Sequence, residues 1–387
     1  MVLSCECFRF RFGTGPFYTP LIMDTHELII IGAGAMGSAA AYHAARAGLN
    51  PLVLEQFEVG HKLGSSHGGS RITRYANPDV EECRVIPQTF EMWRQLEEES
   101  GEHLLEITGS LMVGPDDEDF LVSTRAALDA NGFTYRHLQP QDIAAEFPQF
   151  ALPDNWVGLY QADAGKLDAD RCVRAMIDPA LARGAHLREN CPVEQIIPEP
   201  AGVTVVLAGG ERLAARRLII TAGPWAGQLL EPLLEKPLGL RVTRQQVAFF
   251  PIEQPDLYDP QICPVYIFAA EPNLYGFPEL EYPGHIKIAL ENEILTTDPN
   301  HPRKIMDDNA EALCAAVAKH FNGVVPEPVR IDTCLYTETP GRQFIVDRHA
   351  DYPHIGFAAG FSGRGFKFSI EIGRSLLALV GTPSRNM

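Results

Sequence analysis

The chain lacks the cysteine patterns that mark a metal site or a disulfide framework. Its eight cysteines are scattered over 387 residues, with no Cys-x-x-Cys pair and no Cys/His spacing typical of zinc. A chain of this length buries a sizeable core without covalent staples. We therefore predict reduced thiols, no metal site and a cytoplasmic location.

Positive charge is scarce, and long apolar runs are missing. The 32 Lys and Arg residues face 50 Asp and Glu residues, which gives a net charge of −18. This balance predicts no nucleic-acid partner and no anionic membrane partner. No apolar run reaches the ~20 residues that cross a bilayer. The remaining composition, 45% hydrophobic and 21% charged, is ordinary for a globular protein, and the length suits two domains.

The first residues carry no recognisable targeting signal. Residues 1–22 have no continuous apolar core and no small-residue cleavage site, which disfavours a secretory signal. Glu6 and the absence of an amphipathic period argue against a transit peptide. We expect residues 1–23 to be a poorly ordered extension ahead of a start at Met23.

A glycine turn near residue 30 predicts a dinucleotide site. The apolar residues 28–31 lead into Gly32, Gly34 and Gly37, an alanine-rich helix follows, and a second apolar strand ends at Glu55. The first glycine permits a tight turn, the second a close approach to a pyrophosphate, and the third close packing of helix on strand. Glu55 stands where a carboxylate accepts ribose hydroxyls, which disfavours NADP. The motif does not separate NAD from FAD.

Later segments complete the predicted fold class, which is α/β. A buried strand near residue 218 ends in a glycine turn and suits the second cofactor-contacting crossover of a doubly wound domain. Strands dominate residues 240–295 and predict an antiparallel sheet in a second, α+β domain. The expected cofactor contacts from this part of the chain are Val193, Ala222, Gly223 and Trp225. The predicted domains are 24–84, 157–232 and 328–380 for the cofactor, and 85–156 and 233–327 for the substrate.

Several basic residues lie on glycine-rich loops rather than on charged helix faces. Arg71 and Arg74 follow a His-Gly-Gly stretch, and Lys367 stands between phenylalanines and glycines. Such a lysine has two interpretations. It has a structural role, as a snorkelling or ion-paired side chain, or it forms part of an anion site, and composition leaves both open. Lys287 alternates with apolar residues, the pattern of a solvent-facing strand position. Cys334 lies in a strand, where a lone cysteine is most often a small apolar residue.

Five segments together resemble one family. They are Gly32-Ala-Gly-Ala-Met-Gly37, the loop 64–74, the stretch 275–278, the stretch Cys334 to Pro340, and the loop 360–368. In this order they resemble the monomeric sarcosine oxidase and N-methyltryptophan oxidase family of flavoprotein amine oxidases. The likeness runs from about residue 26 to residue 379. The last two segments are the most distinctive.

The resemblance implies a role for each matching residue. Cys334 would bond covalently to the flavin of FAD, Arg74 and Lys367 would hold the substrate carboxylate, and Lys287 would promote the reaction with oxygen. His67 and Arg71 would lie close to the flavin ring, and Tyr336 would line the substrate site. Further cofactor contacts would come from the loop residues Ser65, Gly360, Gly363, Gly365 and Lys367. The implied protein is a monomer that oxidises a secondary N-methyl amino acid with O2, forming an imine, then aldehyde and amine, and H2O2.

The pocket residues depart from the family pattern. Ser66 and Arg364 stand where the family has histidines, Leu274 replaces a tyrosine, and Glu291 replaces another histidine. The identity of the amine therefore stays open. The alternatives are a related flavin oxidase or dehydrogenase acting on a cyclic or primary amine, and a non-catalytic protein that binds a dinucleotide.

Overall fold

The computed structural model describes residues 25–291, 295–301 and 304–381. The extension predicted for residues 1–23 lies outside these ranges. Within them no helix combines the length and apolar character needed to cross a membrane.

The described residues form 21 strands, eight α-helices and three short 3₁₀ turns. The strands are β1 Thr25–His26, β2 Ile29–Ile31, β3 Leu52–Leu54, β4 Arg71–Thr73, β5 Leu105–Ile107, β6 Ser110–Pro115, β7 Arg136–Leu138, β8 Trp156–Gln161, β9 Gly165–Leu167, β10 His186–Arg188, β11 Val193–Glu199, β12 Gly202–Leu207, β13 Arg212–Ala215, β14 Leu218–Ile220, β15 Arg241–Pro251, β16 Val265–Phe268, β17 Leu274–Phe277, β18 His285–Leu290, β19 Arg330–Glu338, β20 Ile345–Arg348 and β21 Ile355–Ala359. The helices are α1 Ala35–Arg46, α2 Val80–Ser100, α3 Asp119–Asn131, α4 Pro140–Glu146, α5 Ala169–Ala182, α6 Ala226–Leu230, α7 Asp307–His320 and α8 Ser369–Leu379. The 3₁₀ turns are Gly223–Trp225, Pro255–Leu257 and Phe366–Phe368.

A six-stranded sheet in the described chain carries the glycine turn. Its order is β10-β3-β2-β14-β21-β20, and every neighbouring pair is parallel except β20 and β21. The central strands β2, β14 and β21 are buried along their whole length, which explains their unbroken apolar sequences. Since these strands come from the beginning, middle and end of the chain, the α/β class with a discontinuous sheet is confirmed. The exact domain boundaries stay a prediction.

The first crossover from β2 to α1 is possible only with glycine. Gly32 has a φ of +93°, and a Cβ there would lie 2.5 Å from the carbonyl oxygen of Thr221. A Cβ on Gly37 would lie 1.7 Å from the carbonyl oxygen of Gly32. On the far side of α1, a Cβ on Gly373 of α8 would lie 2.4 Å from the backbone of Ala39. The helix is therefore held close to the strand ends, with its N-terminus facing the C-terminal edge of the sheet.

A second sheet of eight strands, again counted over the described residues, has the order β19-β15-β18-β17-β16-β6-β8-β7. The prediction of an antiparallel sheet holds for every neighbouring pair but one, because β6 and β16 are parallel. These two strands are far apart in the chain, so no hairpin turn forces them to run in opposite directions. Its buried face packs on α4 and α7.

Candidate active site

A deep cleft opens beside the glycine turn, with about 1450 Å³ of unfilled volume. Twelve of the predicted cofactor contacts line it: Gly32, Gly34, Glu55, Ser65, Arg71, Val193, Ala222, Gly223, Trp225, Gly360, Gly363 and Gly365. Gly37 lies behind the turn, where it brings helix and strand together. The structure thus brings together cofactor contacts predicted from four separate parts of the chain.

The turn itself is held by Glu55, which is 4% exposed. One oxygen of its carboxylate accepts the N–H of Ala33 at 2.8 Å, and the other accepts the N–H of Phe57 at 3.0 Å. A carboxylate has about four acceptor sites. Nε2 of His61 lies 3.5 Å from the oxygen that accepts Phe57. Glu55 therefore fixes the turn, and the oxygen bound by Ala33 keeps a second acceptor site for a ribose hydroxyl.

The N-terminus of α1 forms one wall of this cleft. The N-cap residue of this helix is Gly34, which has no side chain to accept hydrogen bonds from the first N–H groups. The N–H of Ala35 donates to the Ser66 hydroxyl at 3.1 Å. A helix N-terminus without a charged cap is an anion site. The glycine turn, this helix end and the carboxylate of Glu55 fit the pyrophosphate and ribose of a dinucleotide.

A second cleft, with about 1090 Å³ of unfilled volume, adjoins the first. The residues that line both clefts are Arg71, Tyr336, Ser362, Gly363 and Phe366. All six side chains with a predicted catalytic role line the second cleft: His67, Arg71, Arg74, Lys287, Tyr336 and Lys367. Cys334 lines it too, so a ring system spanning the two clefts would reach the cysteine and the predicted catalytic groups together.

Arg71 holds the loop between the two clefts. Its guanidinium donates to the carbonyl oxygens of Ser65 at 2.9 Å, His67 at 2.6 Å and Ser70 at 2.7 Å. The Ser65 hydroxyl donates to the carbonyl of Leu335 at 2.5 Å, which ties the loop to β19. Arg71 is therefore committed to the loop backbone, and its positive charge is kept next to the place where the clefts meet.

Lys287 does not face solvent, so the interpretation of its strand position as solvent-facing is wrong. It is 6% exposed, and its ammonium donates to Glu281 at 2.8 Å and to the Ser70 hydroxyl at 3.0 Å. Burial lowers the pKa of Lys287, and Glu281 opposes this fall. Burial alone would raise the pKa of Glu281, but Lys287, Ser70 and Gly69 outweigh it and lower that pKa to about 2. Glu281 is therefore ionised at neutral pH, and its carboxylate lies next to Nζ of Lys287.

Arg74 and Lys367 form a pair of buried cations. They are 7% and 5% exposed, and neither has an ion pair within the described residues. Nη1 of Arg74 has no hydrogen-bond partner, and Nζ of Lys367 donates to the carbonyl of Arg364 at 3.0 Å. Burial, then the charge of Arg74, lower the pKa of Lys367 to about 7, while burial lowers the pKa of Arg74 to about 10. Lys367 is therefore neither snorkelling nor ion-paired to a side chain of the described chain.

The nearest carboxylates are engaged by other arginines. Glu82 binds Arg364 through both oxygens, at 2.8 and 3.0 Å. Glu291 binds Arg342 at 2.9 Å. Since these acids are already paired, they offset the charge of Arg74 and Lys367 only from a distance.

Two tyrosines and an apolar surface complete the second cleft. The hydroxyls of Tyr275 and Tyr336 are 3.1 Å apart, and burial raises the pKa of Tyr275 to about 12 and raises that of Tyr336 well above its usual value. Both are therefore neutral donors at physiological pH. Phe120, whose ring lies 6.0 Å from the guanidinium of Arg74, contributes apolar surface with Ile72 and Ile267.

Cys334 is one of two partly exposed cysteines in the described chain, the other being Cys314 on α7. Cys334 lies on β19 opposite Gln245 and lines the second cleft. Cys191 borders the first cleft, but its N–H donates to the carbonyl of Glu55, at the ribose end. Of these three cysteines, Cys334 is the one placed beside the predicted catalytic groups.

Three of the site's partners were not predicted from sequence: Glu281, Tyr275 as the partner of Tyr336, and Phe120. A signal existed for Glu281. The Pro283-Gly284 turn and the pairing of Phe277 with Lys287 place residue 281 in the hairpin loop just ahead of the lysine. Tyr275 lies inside one of the family-like segments, whereas Phe120 comes from α3, and no local pattern connects it with Arg74.

Comparison with protein families gives one match that covers nearly the whole chain. Residues 27–379 match the family described as FAD dependent oxidoreductase. Human peroxisomal sarcosine oxidase is 34% identical over 373 residues, which cover 94% of this chain and 95% of the relative. Monomeric sarcosine oxidase of Bacillus sp. (strain B-0618) is 32% identical and covers 93% of this chain and 94% of its own.

A solved structure is similar over the same length. NikD, titled an unusual amino acid oxidase essential for nikkomycin biosynthesis, superposes with a TM-score of 0.82 at 26% identity. The match covers 94% of this chain and 96% of that one.

Proposed function

The chain belongs to the family of FAD dependent oxidoreductases, and we propose from this that it oxidises the C–N bond of a secondary, N-methyl amino acid. The balanced reaction is N-methyl amino acid plus O2 plus water to the demethylated amino acid, formaldehyde and H2O2. The names of the human and Bacillus relatives, both sarcosine oxidases, support this class of substrate. NikD, an amino acid oxidase by its title, supports the need for a carboxylate.

The observation that carries the proposal is the buried pair Arg74 and Lys367. Two buried like charges without an ion-pair partner among the described side chains are expensive to keep ionised. A substrate carboxylate removes this cost, because Arg74 supplies a planar fork and Lys367 a point charge. The pair therefore selects an anionic substrate and fixes one end of it.

The other residues orient and activate the substrate. The glycine turn, Glu55 and Cys334 would hold FAD, which would supply the two-electron acceptor. Tyr275 and Tyr336 share one hydrogen bond, so one of the two hydroxyls is left to donate to the substrate from this wall, and the apolar surface at Phe120 excludes water. The amine must be neutral to lose a hydride equivalent, and the two nearby cations lower its pKa. Fixing the carboxylate thus positions the C–H bond and favours the reactive protonation state.

An anaerobic screen tests the proposed function. N-methyl amino acids, cyclic secondary amino acids and primary amino acids are mixed with the holoenzyme without oxygen, and loss of flavin colour is followed. The N-methyl class is expected to bleach the flavin fastest. Faster bleaching by primary amino acids, or none by any amino acid, would contradict the proposal.

Covalent attachment of FAD through Cys334 is part of the proposal and is tested separately. Attachment would replace a C–H bond at the 8α carbon of the flavin by a bond to Sγ of Cys334, with loss of the thiol proton and with O2 as the two-electron oxidant. Arg71 and Lys287 line the same cleft, and nearby positive charge favours the reactive thiolate. Yellow colour is expected to stay with the wild-type polypeptide after acid precipitation, and to be lost from Cys334→Ser. Cys314→Ser is the matched control and is expected to keep it. Retention of the flavin by precipitated Cys334→Ser would disprove the assignment.

The lowered pKa of Lys367 predicts that anion binding depends on pH. Its pKa is about 7 in the free protein, so the charged form that binds a carboxylate is lost as the pH rises through 7. The Kd of propionate, which has no amine to titrate, is expected to rise about tenfold per pH unit above pH 7 until only Arg74 contributes. Isothermal titration between pH 5.5 and 9 measures it. Lys367→Met is expected to give a flat profile; a flat wild-type profile would show that Lys367 does not bind the anion.

We also propose a monomer, which the name of the Bacillus relative supports. Light scattering of the holoenzyme checks it, and a dimer mass at micromolar concentration would contradict it. The cytoplasmic location stays a prediction, and the human relative is peroxisomal by name.

A further inference from the structure

Glu281 lies at the centre of a cluster with Lys287, Ser70 and Gly69, and it has no role of its own in the proposed function. It stands in the loop between β17 and β18 and lines the second cleft. One carboxylate oxygen accepts the ammonium of Lys287 at 2.8 Å and the hydroxyl of Ser70 at 2.7 Å. The other accepts the N–H of Gly69 at 2.9 Å. One side chain thus binds a cation, a hydroxyl and a backbone amide.

The backbone is shaped to receive this carboxylate. A Cβ on Gly69 would lie 2.7 Å from Cγ of Glu281, so glycine is required for the contact. The side chains of Glu281 and Lys287 are 18% and 8% exposed. A charged pair so far removed from water is stable only when both members are paired and hydrogen-bonded, which this cluster achieves.

Some of the groups around Lys287 stabilise its positive charge, and others destabilise it. Arg71 repels it, while Cys334 attracts it when ionised, and Glu281 provides the largest attraction. The rings of Phe249 and Phe277 lie 5.7 and 5.5 Å from its ammonium, and His67, Asp332 and Tyr336 line the same cleft. Arg330 lies over the outer side of Phe249. Without Glu281, burial and Arg71 would both act against the protonated lysine.

We propose that Glu281 is a positioning residue that holds the ammonium of Lys287 against the Gly69–Ser70 loop and keeps it charged between pH 6 and pH 9. The placement of the lysine stands on the contacts alone, and only its consequence for oxygen rests on the proposed function. Ser70 orients the pair, and its hydroxyl spans the distance between Glu281 and Lys287.

The test compares Glu281→Gln, which keeps the shape and removes the charge, with Glu146→Gln. The control removes a glutamate from an exposed ion pair with Arg136 on the edge of the second sheet. The holoenzyme is labelled with [ε-¹³C]lysine, and the resonance of Lys287 is assigned with Lys287→Met. Wild type and the control are expected to show a charged Lys287 from pH 6 to pH 9, whereas Glu281→Gln is expected to titrate within that range.

A second measurement follows the reaction of the reduced enzyme with oxygen in stopped flow. From pH 6 to pH 9 the rate is expected to change less than about twofold for wild type and to fall about tenfold or more for Glu281→Gln, because the cation that stabilises developing negative charge is lost. Reduction by substrate is expected to be unchanged. Glu281→Asp, which retains the charge, is expected to keep Lys287 charged.

The outcomes separate the two ideas. If Lys287 stays charged to pH 9 in Glu281→Gln, or if Glu281→Asp titrates as Glu281→Gln does, the role of Glu281 is overturned. If Lys287 titrates as expected while the oxygen rate does not follow, Glu281 positions the lysine as proposed, and the oxygen role of Lys287 fails.

Discussion

Lys287→Met is expected to slow the reaction of the reduced enzyme with oxygen by about 100- to 1000-fold, the loss typical of one preorganised electrostatic group. Only that step develops negative charge on oxygen, so only that step needs the buried cation. Methionine has a similar length and fills the same space without the charge. Stopped-flow mixing of photoreduced enzyme with oxygen measures the rate, and anaerobic mixing with substrate measures the reductive step.

The matched control for this variant is Lys166→Met. Lys166 is 8% exposed on β9 and donates to the carbonyl of Gly69 at 3.3 Å, so it is a buried lysine that contacts the same loop as Lys287 does. It is expected to leave the oxygen rate within about threefold of wild type, because its charge lies outside the cleft lining. Equal losses in both half-reactions of Lys287→Met would make Lys287 a structural lysine.

Lys367→Met is expected to weaken substrate binding by about 10- to 150-fold, because a charged hydrogen bond contributes ~1.5–3 kcal/mol. Arg74→Met is expected to have an effect of the same order, and Arg74→Lys to recover only part of it, since a point charge does not reproduce the planar fork. Substrate Kd from anaerobic titration measures the loss.

Carboxylate inhibitors are expected to weaken in parallel, and the FAD content is expected to stay constant, because the first cleft is not altered. Lys319→Met on the exposed side of α7 is the control and should bind both ligands normally. A loss of substrate affinity with unchanged inhibitor affinity would rule out the anion site.

The parts of the fold that could be predicted have local signals. The alternation of residues 285–290 predicts β18 with its observed bounds, and the pattern over 169–184 ends α5 only two residues late. The glycine turn was predictable because a side chain at these positions would clash with neighbouring backbone, as the structure confirms at Gly32 and Gly37. In contrast, β4 and β10 have three residues each, and their hydrogen bonds come from distant strands.

The sequence predicted which residues form the site, but it predicted few of the side chains that contact them. The resemblance pointed to Arg74, Lys367 and Lys287, and all three line one cleft. Alternation on β18 indicated a solvent-facing Lys287, and this failed because the Gly69–Ser70 loop and Glu281 cover that position. Contacts between loops depend on the assembled fold, so sequence spacing carries no direct signal for them.

The most direct test of the account compares sarcosine with sarcosinamide, which keeps the secondary amine and replaces the carboxylate by a neutral amide. Each is mixed anaerobically with the holoenzyme at one pH below 7, where Lys367 is charged, and the second-order rate of flavin bleaching is divided by the fraction of each amine that is neutral at that pH. The account predicts that the amide reacts on the order of 100-fold more slowly or worse, because it loses charged hydrogen bonds to both Arg74 and Lys367. Equal rates for the two compounds would contradict the claim that this cleft is built around a carboxylate.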